Sequence, residues 1–360
     1  MLQTIVLSSL TKVFLDEAPK DEKFSCFSLL QNEYGAFQIA LKSDEKIELK
    51  IKIESDLDVS CFEAYCATDN VNEQTERKFP MSVRIIIDST ADLTAEVKER
   101  TVVVPLTIRF GEEEYIDGVT IHHKEFYEKL IESDVLPTTS QASPATFEAV
   151  FADVVAAGDT AVVLTVASKL SGTYQSAVIA AEEFPGKIYV VDSKTATIGT
   201  GILAERALQM ADDGLSAEEI ARQISEEREN ICLVAMLDTL EYLKRGGRIS
   251  KTVAFAGGLL SIKPVIALKD GEIVVLGKAR GSKQGNNLLV NEIQKAGGVD
   301  FSKPVLLGYT GLNDTLLQKY IEDSKAIWAE SGEALRIAPV GSVVGTHAGP
   351  GAIAAVFFKK

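Results

Sequence analysis

Four short stretches carry side chains that could hold or transform a ligand, and each lies where an apolar run gives way to a turn or helix. Asp88-Ser89-Thr90-Ala91-Asp92 puts two carboxylates and two hydroxyls behind the run RIII at 84–87, where they can cap a helix or hydrogen-bond a ligand. Pro137-Thr138-Thr139-Ser140-Gln141 is denser in hydroxyl and amide groups than one helix start requires, which makes Thr139 and Ser140 candidate ligand contacts. In Ala167-Ser168-Lys169-Leu170-Ser171-Gly172-Thr173-Tyr174 a strand end turns into a helix. Free backbone N–H groups there, with Ser171 beside them and Gly172 allowing close approach, suit a phosphate or carboxylate. The stretch is neither a G-x-x-x-x-G-K-[ST] nucleotide loop nor a G-x-S-x-G nucleophile elbow. The fourth, Val344-Gly345-Thr346-His347-Ala348-Gly349-Pro350-Gly351, reads as a glycine-rich turn presenting Thr346 and His347 to a ligand, with an ordinary loop histidine as the alternative.

Two basic groups add candidate anion holders: KRGGR at 244–248, with Arg248, and KARGSK at 278–283, with Arg280. Solvated turns are the plain alternative for both. His122-His123 has no acid cluster beside it and reads as surface. Three histidines and four cysteines without a CxxC pair give neither a metal site nor a disulfide framework, so no metal or cofactor is expected.

The elements that must position these groups are legible from residue 81 onward. Residues 84–87, 161–166, 187–191 and 231–236 are short β-branched runs of the kind buried on both faces of a parallel sheet. Helices lie between them: one starts with Ser143 as N-cap and Pro144 in its first turn, another with a Ser216/Glu219 capping box. From 265 to 276, two strands flank an Asp270-Gly271 turn. A helix at 286–295, a strand at 304–308, a helix at 315–330 and strands at 335–337 and 352–358 follow. The fold class is therefore α/β: domains at 81–238 and 239–360 with a ligand cleft between them, since such crevices lie beyond the carboxyl ends of parallel strands.

Residues 1–80 are built differently. They hold one glycine, Gly35, against 25 in the remainder, and IELKIKI at 47–53 alternates with period two, so this piece reads as a small all-β segment joined by a polar linker at 69–80. LSSLTKVFLDEAP and SDLDVSCFEAY resemble the N-terminal β-sandwich of some large glycoside-hydrolase-like proteins, a likeness that implies no activity. Composition narrows the partners. A net charge of −15 disfavours nucleic acid, which is held by clustered Lys and Arg. No apolar run reaches the roughly 18 residues of a membrane span and the N-terminus lacks a basic leader, so a cytoplasmic location is expected; transient contact with a membrane surface is compatible with this.

The motifs IIIDSTADL, PTTSQAS, SKLSGTYQSA, LEYLKRGGRIS, LLSIKPVI and VVGTHAGPGA, in this order over residues 81–360, resemble the DegV family of bacterial fatty-acid-binding proteins. The resemblance implies a two-domain α/β protein that holds a long-chain fatty acid between its domains and presents it to the catalytic subunit of fatty acid kinase, which forms the acyl phosphate; this chain itself would not be an enzyme. It implies carboxylate contacts from Thr139, Ser171 and His347, a partner role for Arg280, and a further anion contact at Arg248. The apolar stretch 253–262 is the expected acyl tunnel wall, with a plain core helix as the alternative. Two rival readings are a hydrolase or small-molecule kinase acting on a polar or anionic substrate in the same cleft, with Ser171 or Thr139 as nucleophile and His347 as base, and a carbohydrate-binding or interaction protein governed by residues 1–80 with a lipid module attached.

Overall fold

The structure, a computed structural model, describes residues 3–7, 12–13, 38–42, 82–249, 262–332 and 335–360. The expected linker at 69–80, the alternating run at 47–53 and the stretch 253–261 lie outside the described residues. By packing, the chain divides into two compact units, Met1–Thr75 and Glu76–Lys360. In the first, the described strands Gln3–Leu7, Lys12–Val13 and Gln38–Lys42 form an antiparallel sheet with Gln3–Leu7 at its centre.

The second unit is built on two large sheets. One is fully parallel, in the order Ile188–Asp192, Thr160–Thr165, Val83–Asp88, Val102–Val104. All six residues of Thr160–Thr165 are buried, as a strand covered on both faces must be. On one face pack the helices Pro144–Ala156 and Thr173–Ala181, through Phe147, Phe151, Ala177 and Ala180. Ser143 caps the first of these by accepting the Thr146 N–H at 3.1 Å, and Pro144 opens it. On the other face lies Ile198–Asp212, whose buried residues belong to one core with Ile85 and Leu164 of the parallel sheet and Leu233 and Val356 of the second sheet. Helix Ala217–Glu227, begun by the Ser216/Glu219 capping box, joins that core.

The second sheet is mixed, in the order Glu272–Arg280, Ile262–Lys269, Ile231–Met236, Ile353–Phe358, Leu306–Tyr309, Ile337–Pro339. Only its last pair is parallel. Ile231–Met236, expected in the parallel sheet of an 81–238 domain, is instead a central strand here, antiparallel to both neighbours. An apolar β-branched run announces burial on two faces; it does not say which sheet supplies the partners. A third, small antiparallel sheet joins Glu113–Ile116, Thr107–Phe110 and Thr138–Ser140, so residues 138–140 are an edge strand rather than a loop.

Two buried carboxyls staple these layers. Asp88 Oδ1 accepts from the Thr90 amide at 2.9 Å and hydroxyl at 2.6 Å, while Oδ2 accepts from the Val166 amide at 2.7 Å. Asp88 thereby bridges the ends of the paired strands Val83–Asp88 and Thr160–Thr165 and caps no helix. Asp92 accepts from the Thr197 hydroxyl and, at 2.7 Å, from the Gly341 amide. Thr197 has φ +52° and ψ −131°, a rare conformation for a β-branched residue, and its bond to Asp92 helps to hold it at the head of Ile198–Asp212.

Burial pushes the Asp92 carboxyl up to about 7, against the lowering effect of its two hydrogen bonds. A folded state that holds a proton the unfolded chain has released loses stability as pH rises, here from about 4 to about 7. The stability difference between wild type and Asp92→Asn, measured by urea titration, should fall across that window; a pH-independent difference would show that Asp92 does not titrate there.

Candidate functional site

A cavity opens beyond the carboxyl ends of the parallel strands, between them and the inner face of the mixed sheet. The parallel order reverses between Val83–Asp88 and Thr160–Thr165, and Thr90 and Val166, which follow those strands, both line the cavity. Most of its wall is apolar, including Leu106, Leu170, Leu237, Leu243, Ile266 and Val343. Four of the expected ligand residues, Thr139, Ser171, Arg248 and His347, line it as well.

These polar groups are linked. Thr139 Oγ1 lies 2.9 Å from His347 Nε2, in a hydrogen bond whose direction depends on the imidazole tautomer. His347 Nδ1 is buried and has no hydrogen-bond partner among the described residues. Its ring lies against Gly246, where a Cβ would land on Nδ1. Burial, with the nearby Arg248 charge, pulls His347 down to about 4, so the site presents a neutral imidazole at pH 7. A nucleophile–base pair would need an orienting carboxylate at Nδ1; the backbone of Gly246 occupies that side.

Arg248 anchors the polar end. Its Nε donates to the Leu170 carbonyl at 3.0 Å and Nη1 to the Gly246 carbonyl at 2.6 Å, tying the turn after helix Glu241–Arg245 to the residue before Ser171. Among the described residues no carboxylate pairs with this half-buried guanidinium, which stays charged although burial lowers its pKa. Ser171 Oγ is 2.9 Å from Thr173 Oγ1 and accepts the Thr173 N–H at 3.3 Å, steadying the start of helix Thr173–Ala181. A cation, two hydroxyls and an imidazole at one end of an apolar cavity fit an amphipathic anion.

The remaining expected contacts fall elsewhere. Residues 342–348 form a helix, Ser342–Ala348, instead of a glycine-rich turn: Gly345 sits inside it because a Cβ there would meet the Tyr127 hydroxyl and Phe126, and Gly349 ends it at φ +70°. The Thr346 hydroxyl is therefore committed to the Ser342 carbonyl at 3.0 Å. Ser140 is exposed on its edge strand and does not line the cavity. At Gly172 the space for a Cβ is filled by the Gln141 carboxamide, which donates to Ser176 Oγ at 2.9 Å; this glycine admits a protein side chain where a ligand was expected. Gln141, Thr197 and Gly246 belong to the site yet were not singled out from sequence, although Gln141 and Gly246 sit inside the motifs quoted above. His123, expected at the surface, is half-buried and bridges the Val340 and Gly311 carbonyls at 3.0 and 2.9 Å. Arg280 is exposed at the end of Glu272–Arg280, away from the cavity wall.

Residues 82–360 match the family model described as "Uncharacterised protein, DegV family". A DegV domain-containing protein of Caldanaerobacter subterraneus subsp. tengcongensis is 38% identical over 283 residues, 77% of this chain and 99% of the relative. Among solved structures, a DegV family protein from Thermus thermophilus, described as fatty-acid binding, aligns with a TM-score of 0.69 at 31% identity over 78% of this chain and 100% of its own. The fatty acid kinase B3 protein of Streptococcus pneumoniae, loaded with linoleic acid, aligns with a TM-score of 0.67 at 26% identity over 78% of this chain and 100% of its own.

The contact between Gly246 and His347 predicts a selective defect. Gly246 has φ −69° and ψ −10°, which alanine adopts without strain, so Gly246→Ala should keep the thermal midpoint within a few degrees while displacing the imidazole. Ligand affinity should drop about tenfold or more, the scale of one lost hydrogen bond to a charged group. In the ligand-free wild type, NMR titration of His347 should give a midpoint near 4, raised in Arg248→Gln; an ordinary midpoint unaffected by Arg248 would contradict the placement of both side chains.

Proposed function

The chain belongs to the DegV family, and from that premise we propose that it binds one long-chain fatty acid in this cavity and presents the carboxylate to a separate kinase subunit, which converts it to an acyl phosphate. The observation that carries the reading is the Arg248 guanidinium, paired with no carboxylate among the described residues, at the Thr139–His347 end of a largely apolar cavity. The fatty-acid binding described for the Thermus thermophilus protein and the linoleic acid held by the Streptococcus pneumoniae protein support it.

The physical roles divide between the two ends. Burying about 14 methylenes at roughly 0.8 kcal/mol each supplies a gross driving force near 11 kcal/mol, reduced by the ordering of chain and protein. The tail therefore provides most of the affinity. Thr139, Ser171, Arg248 and His347 fix direction by giving the carboxylate hydrogen bonds and a counter-charge, and Gln141 and Gly246 hold the Ser176 helix face and the imidazole in place. Phosphoryl transfer would draw its nucleotide and metal from the partner, to which the exposed Arg280 offers a cation outside the cavity. No described helix is long and apolar enough to cross a membrane, and we place this exchange in the cytoplasm.

Calorimetry with palmitate and with hexadecanol tests the carboxylate end. Palmitate should bind at least about tenfold more tightly, the scale of charge-assisted hydrogen bonds; equal affinities would remove the roles of Arg248 and His347. In a reconstituted system, Arg280→Ala should leave palmitate affinity within about twofold and abolish ATP-dependent acyl phosphate formation. Undiminished turnover would take Arg280 out of the partner surface.

A further inference from the structure

On the cavity side of the mixed sheet, small residues share a row from Ile231–Met236 outward to Ile337–Pro339, although Ala235's other partner, Ile266, is large and also lines the cavity. In one row Ala235 stands opposite Ala354, Ala354 opposite Gly308 and Gly308 opposite Ala338. Ala235 and Ala354 line the cavity with one-carbon side chains that leave room for a guest, while Gly308, also on its wall, gives its space to Ile198 and Val340. Two residues further from the polar end the sizes change. There Leu233 stands opposite Val356 and Val356 opposite Leu306, while in the hairpin Leu268 stands opposite Ile273.

Leu233, Leu268 and Ile273 also line the cavity. Leu233 and Leu268, however, belong at the same time to the wall of a second pocket, which carries Lys194, Arg228, Glu229, Lys269 and Glu292. An apolar cavity and a strongly charged pocket thus share two leucines. The polar end of the first lies at the opposite end of the strands, because Leu237 leads into the segment that carries Arg248. From Leu237 to Leu233 is a span of about 13 Å at 3.3 Å per residue.

Resting on the fatty-acid reading above, we propose that Leu233 and Leu268 are the end stop for the acyl tail and set the longest chain this protein favours. A methylene laid over Ala235 and Ala354 leaves water for an apolar surface. One pushed past the two leucines enters a pocket of lysines, arginine and carboxylates, gains no apolar burial there and displaces their hydration. Affinity should climb by about fourfold per added methylene until the tail reaches the leucines, then level off or fall.

The test is competition among saturated fatty acids of graded length, read as bound mass by native mass spectrometry of the full chain. Leu268 is only half-buried on the hairpin, so its substitution spares the core, and far-ultraviolet circular dichroism checks the fold. In Leu268→Ala the preferred length should rise by about two carbons, the reach of the side chain removed, and in Leu268→Phe it should fall. Leu233→Val, a smaller change at the buried partner, should shift it upward more weakly. Variants that bind fatty acid with an unchanged length preference would overturn the end stop while leaving the fatty-acid reading intact. A wild type that takes up no fatty acid of any length would overturn that reading and this inference together.

Discussion

A guanidinium that is half out of water and faces no carboxylate among the described residues is the constraint around which the site is arranged. Arg248 holds its place by donating to two backbone carbonyls, Leu170 and Gly246, so its charge is positioned without being neutralised. That choice shapes its neighbours. The same Gly246 that accepts from Arg248 makes room for His347, and the cation lowers the imidazole pKa further than burial alone would. Arg248 keeps a positive charge at the polar end of an apolar cavity, and an anion with a hydrocarbon tail satisfies both halves at once.

Rigidity comes from the carboxyls that do not meet the ligand. Asp88 ties the turn after strand Val83–Asp88 to Val166, just beyond strand Thr160–Thr165, and Asp92 ties the same turn to Thr197 and Gly341. Gly341 is the cap of the helix whose last turn presents His347, so the imidazole is referenced to the parallel sheet even though its helix precedes a strand of the mixed sheet. His123 makes a second such tie through the Val340 and Gly311 carbonyls. A site assembled from both sheets needs connections of this kind if its hydroxyls and cation are to stay within hydrogen-bond reach of one carboxylate.

What could be read from the sequence follows from the range of the interactions involved. Local signals held: the caps at Ser143 and Ser216 form, and Asp270 and Gly271 turn the hairpin with φ of +49° and +79°. So did the buried runs at 84–87 and 161–166, because a strand covered on both faces shows no alternation. The failures are long-range. Ile231–Met236 pairs in the other sheet, a choice made by partners more than 25 residues away. The glycines at 345 and 349 suggested a turn, yet they are there to admit Tyr127, Phe126 and Tyr242 against a helix and its end. At the site, the motifs located Thr139, Ser171, Arg248 and His347, whereas the insides of those motifs divide by packing: Thr346 turns back to its own helix and Gly172 yields its space to Gln141.

The central claim is that the cavity is the seat of a fatty acid, and mass spectrometry of the purified full chain, first native and then after organic extraction, addresses it most directly. One fatty acid per chain is expected at near-stoichiometric amount, released by extraction and restored by added palmitate or oleate. A chain that emerges empty and takes up neither acid would contradict it.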